Sequence, residues 1–457
     1  MLKLAMHDFL TTMLEHKKIE VQSLKNRYLI PEALKNSTRD FSQALQERRT
    51  SFILECKQAS PSKGLIRSHF DLLRIASVYE KYATCISVLT DEKYFQGSHS
   101  DLQIIASNTS KPILCKDFII DPFQVRLARF MGADAILLML SILDDATYTK
   151  LATLAKSLQM AVLTEVHNQE EVQRALHLGA SILGINNRNL KTLKVDLHTT
   201  LELRPLIPDD KIIISESGII SHADVKKLCG HVHGFLVGSS LMSQKNLNKA
   251  CKKLILGENK VCGLKRVKDA KAVFKHGFIY GGLIFDPESP RCISLKKAAK
   301  LIKKVPKLDF VGVFVKADIK TIIQYACQLR LKAIQLHGNY TSKQIALLKQ
   351  ALSCAIWQVE RVDVNASKLS AHTLHADLIL YDSKGARAGG NGVAFSWEIL
   401  SGLSHRFMLA GGLNASNLQR AISTGALGLD INSGVENTPG KKNKQKIAQI
   451  AKMLREY

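Results

Sequence analysis

Residues 161–186 read AVLTEVHNQEEVQRALHLGASILGIN. Ala161–Glu165 is apolar up to a closing carboxylate. Glu170–Leu178 has the spacing of an amphipathic helix and stops at Gly179-Ala180, where glycine accepts the left-handed backbone that ends a helix. Ser181–Asn186 is a second short apolar run. Both runs are nearly continuous in Ile, Val and Leu rather than alternating with polar residues, which marks parallel strands buried on both faces. The unit is strand, helix, strand, with a charged or polar residue at each strand end.

Working outward, the same unit recurs along the whole chain. Before residue 257 the apolar runs are Ser51–Glu55, Cys85–Leu89, Pro112–Lys116, Ala135–Leu140, Ala161–Glu165, Ser181–Asn186, Lys211–Ser215 and Gly234–Val237. After it they are Lys260–Cys262, Phe278–Phe285, Phe310–Val315, Ala333–Leu336, Ala355–Val359, Leu378–Tyr381, Arg406–Ala410 and Leu427–Ile431. Eight parallel strand–helix units close into a barrel. The fold class expected is therefore α/β with two tandem (β/α)8 TIM barrels, residues 1–256 and 257–457, joined at the short seam Leu256-Gly257-Glu258-Asn259. Residues 1–48 precede the first barrel, with helical character broken at Pro31. They are expected either to cover the first site as a lid or to pack beneath the barrel.

The length of 457 residues suits two barrels of roughly 200–250 residues each. The formal net charge of +24 admits a nucleic-acid surface, but Lys and Arg are spread over both halves with no arginine-rich arm. The densest run, Lys441–Lys446, reads as the solvated start of a helix. Nine cysteines without a CxxC pair point to a reducing cytoplasm. No stretch is long and apolar enough for a membrane span or an export signal. A cytoplasmic monomer is expected, with neither nucleic acid nor membrane as partner.

A barrel carries its chemistry at the C-terminal strand ends, so those ends form a candidate site. In the first half they hold Glu55 and Lys57, Lys116 with Asp117, Glu165, Asn186, Asn187 and Arg188, Glu216 with Ser217, and Gly238 with Ser239. One charge alone would serve equally well as a structural ion pair. Lysines and carboxylates gathered on one rim cost desolvation unless chemistry uses them. Ser217-Gly218 and Gly238-Ser239 follow the seventh and eighth strands, where such barrels hold phosphate on backbone N–H groups. The second half repeats this with Gly411-Gly412 and Ser433-Gly434. Its other strand ends carry Cys262, Arg291 (after the second strand), Gln335, His337, Asp382 and Asp430. Phosphorylated small molecules are the expected substrates of both halves. There is no GxGxxG or Walker A run, and His372 and His375 lack a third metal-type partner nearby, so neither a cofactor nor a metal is expected.

The stretch Phe52-Ile53-Leu54-Glu55-Cys56-Lys57-Gln58-Ala59-Ser60-Pro61-Ser62-Lys63-Gly64 resembles indole-3-glycerol-phosphate synthases. So do Leu114-Cys115-Lys116-Asp117-Phe118, Gly184-Ile185-Asn186-Asn187-Arg188 and Ser215-Glu216-Ser217-Gly218-Ile219. The second half resembles phosphoribosylanthranilate isomerases in Lys260-Val261-Cys262-Gly263-Leu264, Ser289-Pro290-Arg291, Gln335-Leu336-His337-Gly338, Leu409-Ala410-Gly411-Gly412-Leu413 and Asp430-Ile431-Asn432-Ser433-Gly434-Val435-Glu436. The resemblance implies two consecutive steps of tryptophan biosynthesis: an Amadori isomerisation in the second barrel, then a decarboxylating, dehydrating ring closure in the first.

It further implies Asp382 as acid and Cys262 as base in the isomerase, with Arg291 gripping the anthranilate carboxylate. Gln335, His337 and Asp430 would bind substrate. Gly389, Gly390, Gly392, Gly411, Gly412, Ser433 and Gly434 would complete that site, chiefly around the phosphate. In the synthase it implies Lys116 as general acid with Glu165 as base partner, and Lys57 held by Glu55. Asn186, Arg188 and Glu216 would orient substrate, and Ser60, Ser217, Gly218, Gly238 and Ser239 would hold its phosphate. The division of proton transfers among Lys57, Lys116 and Glu165 stays open. The loop from Ser383 to Gly392 and Phe395-Ser396-Trp397 depart from the family pattern. The rival readings are another phosphosugar isomerase or epimerase pair on the same fold, and a basic nucleic-acid-binding protein.

Overall fold

The computed structural model describes residues 4–47, 50–189, 192–369, 375–384, 394–403 and 405–455. The chain forms two compact units, Met1–Cys251 and Lys252–Tyr457. In the first, β1 (Ser51–Cys56), β2 (Cys85–Leu89), β3 (Ile113–Lys116), β4 (Ala135–Met139), β5 (Ala161–Val166), β6 (Ile182–Asn186), β7 (Ile212–Glu216) and β8 (Gly234–Val237) form a closed parallel barrel. It closes by pairing Ser51 with Gly234 and Leu54 with Val237. In the second, β9 (Lys260–Val261), β10 (Tyr280–Ile284), β11 (Asp309–Phe314), β12 (Ala333–Leu336), β13 (Ala355–Val362), β14 (Leu378–Ser383), β15 (Phe407–Leu409) and β16 (Gly428–Ile431) do the same, closing where Lys260 meets Asp430 and Val261 meets Ile431.

The strands expected from apolar continuity are all present, and their ends move by a few residues. β7 runs through Glu216 and β14 through Asp382 and Ser383, so these charged residues belong to strands rather than to the loops after them. The barrel interior supports them with packed apolar layers. Ile53, Leu114, Leu137, Leu163, Ile182, Ile214 and Leu236 meet in the first barrel. Tyr280, Val311, Trp357, Leu380 and Met408 meet in the second.

The segment before β1 divides between the two roles expected for it. Helix α1 (Leu4–Arg27) lies against the loops at the C-terminal ends of β2 and β3. The buried Lys17 Nζ is 2.6 Å from Asp91, 2.8 Å from Asp117 and 2.9 Å from Glu20. Helix α2 (Phe41–Gln46) packs at the opposite end. Phe41 and Leu45 join the core beside Ile53, Cys85 and Ile212, and Ser51 Oγ donates to the Leu45 carbonyl at 2.9 Å.

The run Lys441–Lys446 corrects the sequence reading. Lys441–Lys442 pairs antiparallel with Glu436–Thr438, and the helix starts only at Lys444. Lys442 is buried, its Nζ on Glu436 and on the Asn432 side chain, both at 2.8 Å. Lysine density alone does not reveal that one member of the run has a carboxylate waiting six residues earlier.

Candidate active sites of the two barrels

In the first barrel, Glu55, Lys116, Glu165 and Glu216 come from β1, β3, β5 and β7, the alternate strands whose inward side chains share a layer. Lys116 Nζ is paired with Glu216 and lies 3.7 Å from Glu165. Lys57 Nζ is 2.6 Å from Glu55. Packing two carboxylates at the end of a narrow barrel requires space on the neighbouring strands, and glycine provides it. A Cβ on Gly184 would fall 2.0 Å from Glu216 Oε1, and one on Gly238 would fall 2.2 Å from Glu55 Oε1. Gly238 thus makes room for Glu55 as well as opening the eighth loop.

Burial disfavours charge on Lys116, Glu165 and Glu216, and the pairings decide the outcome. Burial presses the Lys116 ammonium down, but Glu216 and Glu165 overcome it and raise its value. Burial raises the Glu216 carboxyl. Glu165 goes the other way: burial is outweighed by His167 and Lys116, which hold its carboxyl below the usual range.

Around this layer, Asn186 Oδ1 accepts from the Arg188 N–H at 3.0 Å, and the Arg188 guanidinium donates to the Leu193 carbonyl. Asn187 is structural: its side chain ties β7 to the following loop through Ser215, Glu216 and Ser217. Ser217 and Gly218 take left-handed φ of 62° and 87°, turning the chain sharply after β7. Ser239 starts a one-turn helix after Gly238, and the buried Ser60 hydroxyl sits on the hairpin Ala59–Ser60/Gly64–Leu65.

In the second barrel, Cys262, Arg291, Gln335, His337, Asp382, Gly411, Gly412, Asp430 and Ser433 line one cavity. Asp382 lies 3.3 Å from His337. Burial, with the negative charge of Asp430 beside it, lifts the Asp382 carboxyl to about 7. Burial and the cations Lys260 and Arg361 press His337 down to about 4, so its ring is neutral. The fully buried Lys260 donates to Asp430 at 2.7 Å and bonds the Cys262 thiol. Burial pushes that thiol up, and Lys260 opposes the push. Gly411, at φ 88°, leaves space chiefly for Ser383 and then for Asp382: a Cβ there would lie 2.1 Å from Ser383 Oγ and 3.0 Å from Asp382 Oδ1.

Gly434 stands outside the cavity lining and has another task, since a Cβ there would lie 2.0 Å from the Leu413 carbonyl oxygen. It lets the two glycine loops approach. Arg291 reaches the cavity, but its Nε and one Nη nitrogen already hold Glu436, at 3.1 and 2.8 Å. Only the other terminal nitrogen is not used by that pair. Gly389, Gly390 and Gly392 lie outside the described residues. Among the described residues, no group of three His, Cys, Asp or Glu side chains could hold a metal ion.

A family model of indole-3-glycerol phosphate synthase matches residues 10–254, and one of N-(5'-phosphoribosyl)anthranilate isomerase matches residues 259–453. The tryptophan biosynthesis protein TrpCF of Helicobacter pylori is 60% identical over 454 residues, covering 99% of this chain and 100% of that one. Its counterpart from Salmonella typhi is 49% identical, covering 92% of each chain. The chain belongs to the fused indole-3-glycerol phosphate synthase–phosphoribosylanthranilate isomerase family. This fused synthase–isomerase is an enzyme of tryptophan biosynthesis, with a decarboxylating lyase in its first barrel and an isomerase in its second.

Four charged residues at these sites are given no role in the sequence reading: Lys17, His167, Lys260 and Glu436. Two of them were accessible to it. Lys260 stands two residues before Cys262, and His167 two residues after Glu165, so in extended chain each shares a face with its partner. Glu436 acts on Arg291 across 145 residues, and no local pattern signals that.

Proposed function

We propose that in the second barrel Asp382 and Cys262 open and isomerise N-(5-phosphoribosyl)anthranilate, and that in the first barrel Lys116 and Glu165 close the indole ring. The division between the two activities falls at the seam Leu256–Gly257. The observation that carries the reading is that each strand-end site holds one group able to give a proton and another able to take one. In the second barrel both stand on a single cavity.

In the isomerase, a carboxyl kept protonated to about pH 7 delivers its proton to the ribose ring oxygen as that C–O bond breaks. The resulting iminium draws electrons from the C2′–H bond, and the Cys262 thiolate takes the proton. Only the thiolate is a base, and Lys260 is the cation that stabilises it within a buried surround. The enol then becomes the ketone. Arg291, held in place by Glu436, turns its remaining terminal nitrogen to the anthranilate carboxylate. Gln335 and His337 contact the sugar, and the backbone of Gly411, Gly412 and Ser433 takes the phosphate.

In the synthase, the aromatic carbon attacks the ketone, and negative charge gathers on its oxygen. Lys116, kept cationic by the acidic side chains beside it, donates there. Loss of carbon dioxide and then of water completes the pyrrole ring, with Glu165 taking the proton released in dehydration. Lys57, fixed by Glu55, faces the substrate carboxylate or shares in proton transfer. Asn186, Arg188 and Glu216 orient substrate, and Ser60, Ser217, Gly218, Gly238 and Ser239 surround its phosphate. Both substrates are small phosphorylated molecules, and the chain acts as a monomer.

Following each step separately tests this assignment. Lys116→Ala should lower indole-glycerol-phosphate formation by at least ~100-fold, the low end for loss of a general acid, and spare the isomerase. Cys262→Ala should abolish the fluorescence change that accompanies consumption of phosphoribosylanthranilate, while the synthase continues. An unchanged synthase rate in Lys116→Ala removes Lys116 from the mechanism.

A further inference from the structure

His167 is partly buried beside the synthase layer and lies between two carboxylates. Its Nε2 lies 3.2 Å from Glu165 Oε1, within ion-pair reach but out of line for a hydrogen bond, and its Nδ1 is 3.0 Å from Glu171 Oε2. Carboxylate oxygens only accept, so a neutral ring would turn a lone pair on one of them, and only the imidazolium offers N–H to both. Glu171 is itself fixed. It accepts from the His167 backbone N–H at 2.8 Å and from the Asn168 amide at 3.0 Å, while Asn168 caps the helix that carries Glu171. The cation is therefore held by a rigid anion on its outer side.

The two carboxylates that flank Lys116 are then not equivalent. Glu165 has His167 on one oxygen and Lys116 near the other. Glu216 has Lys116 on Oε2, while its buried Oε1 has no hydrogen-bond partner among the described residues and looks across at Gly184. A bare buried carboxylate oxygen is costly when ionised and much less so when protonated. We propose that His167 is a positioning residue of the synthase: its imidazolium fixes Glu165 as the carboxylate that stays ionised and leaves Glu216 as the one that holds a proton.

This assignment rests on the reading of Glu165 as the base and adds the reason it is Glu165 rather than Glu216. Burial would lower the His167 value, but Glu165 and Glu171 lift it to about 10, so the cation persists through neutral pH. The charged groups facing this unit are Glu171 from the following helix, Glu165 from β5, Lys116 from β3, Glu216 from β7 and, further off, Glu55 from β1.

The test is a pH series of synthase kcat/KM in His167→Gln. Without the cation, Glu165 shares the proton with Glu216, so at pH 6.5 the variant should lose about twofold or more, the fraction of molecules in which Glu165 is the protonated partner. The deficit should shrink towards pH 9, and isomerase turnover should be unchanged. A deficit equal at every pH would mean that His167 only packs, and would overturn the proposal. Independently of whether the variant folds, 15N spectra of the wild-type ring should show both nitrogens protonated from pH 6 to 9, and a neutral tautomer at pH 8 would overturn it too. Glu165→Gln separates the two ideas: full synthase turnover in that variant contradicts the base assignment, whatever the state of His167.

Discussion

Asp382 and His337 touch at 3.3 Å, yet burial drives them in opposite senses. Each loses its charged form, so the pair meets substrate as a carboxylic acid beside a neutral imidazole. Cys262 titrates higher still. With Asp382 as the acid and Cys262 as the base, as proposed, the productive combination of thiolate and protonated carboxyl is then a minority form whose share is constant between the two values. Isomerase kcat/KM should therefore climb to about pH 7, stay flat until the thiol itself titrates, and fall beyond that. Asp430→Asn removes the negative neighbour of Asp382, and the rising limb should move to lower pH. Lys260→Met removes the cation that stabilises the thiolate. Each unit by which the thiol rises costs tenfold in that minority, so the plateau should fall roughly tenfold or more, and alkylation of Cys262 by iodoacetamide should slow in parallel. Normal alkylation in Lys260→Met would separate Lys260 from the thiol.

At the scale of elements, the βα units were legible because parallel strands need continuous apolar runs and the rim needs polar ends. Ala333–Leu336 and Gly234–Val237 were read to the residue. What escaped is either held by contacts distant in sequence or too short to show a pattern. Helix α1 has a weak periodic signal, and its place over the rim depends on Lys17 finding Asp91 and Asp117, the latter a hundred residues away. The hairpins Ala59–Ser60/Gly64–Leu65 and Glu436–Thr438/Lys441–Lys442 are too short to carry an alternating pattern. Lys17→Met should leave both buried aspartates without their cation, at a cost of about 3 kcal/mol or more. It should also expose α1 to proteolysis well before the barrel unfolds. Unaltered protease resistance and urea midpoint would show that apolar contacts such as Met13, Val21 and Leu24 hold the helix alone. Gly184→Ala tests the opposite end of the scale: a single methyl driven against Glu216 should cripple the synthase while the barrel still folds.

For the whole molecule, repetition of one unit made the architecture readable, and both sites follow from the rule that a barrel works at the C-terminal ends of its strands. The candidate site was legible as a set of residues but not as a set of charge states. Those depend on Lys260, His167 and Glu436, whose importance comes from burial. The central claim is that each barrel contains a complete site of its own. Mixing Cys262→Ala with Lys116→Ala and supplying phosphoribosylanthranilate tests it most directly. The account predicts that neither variant alone forms indole-glycerol phosphate efficiently and that the mixture does, after a lag while the intermediate accumulates. A mixture no more active than its parts would contradict it.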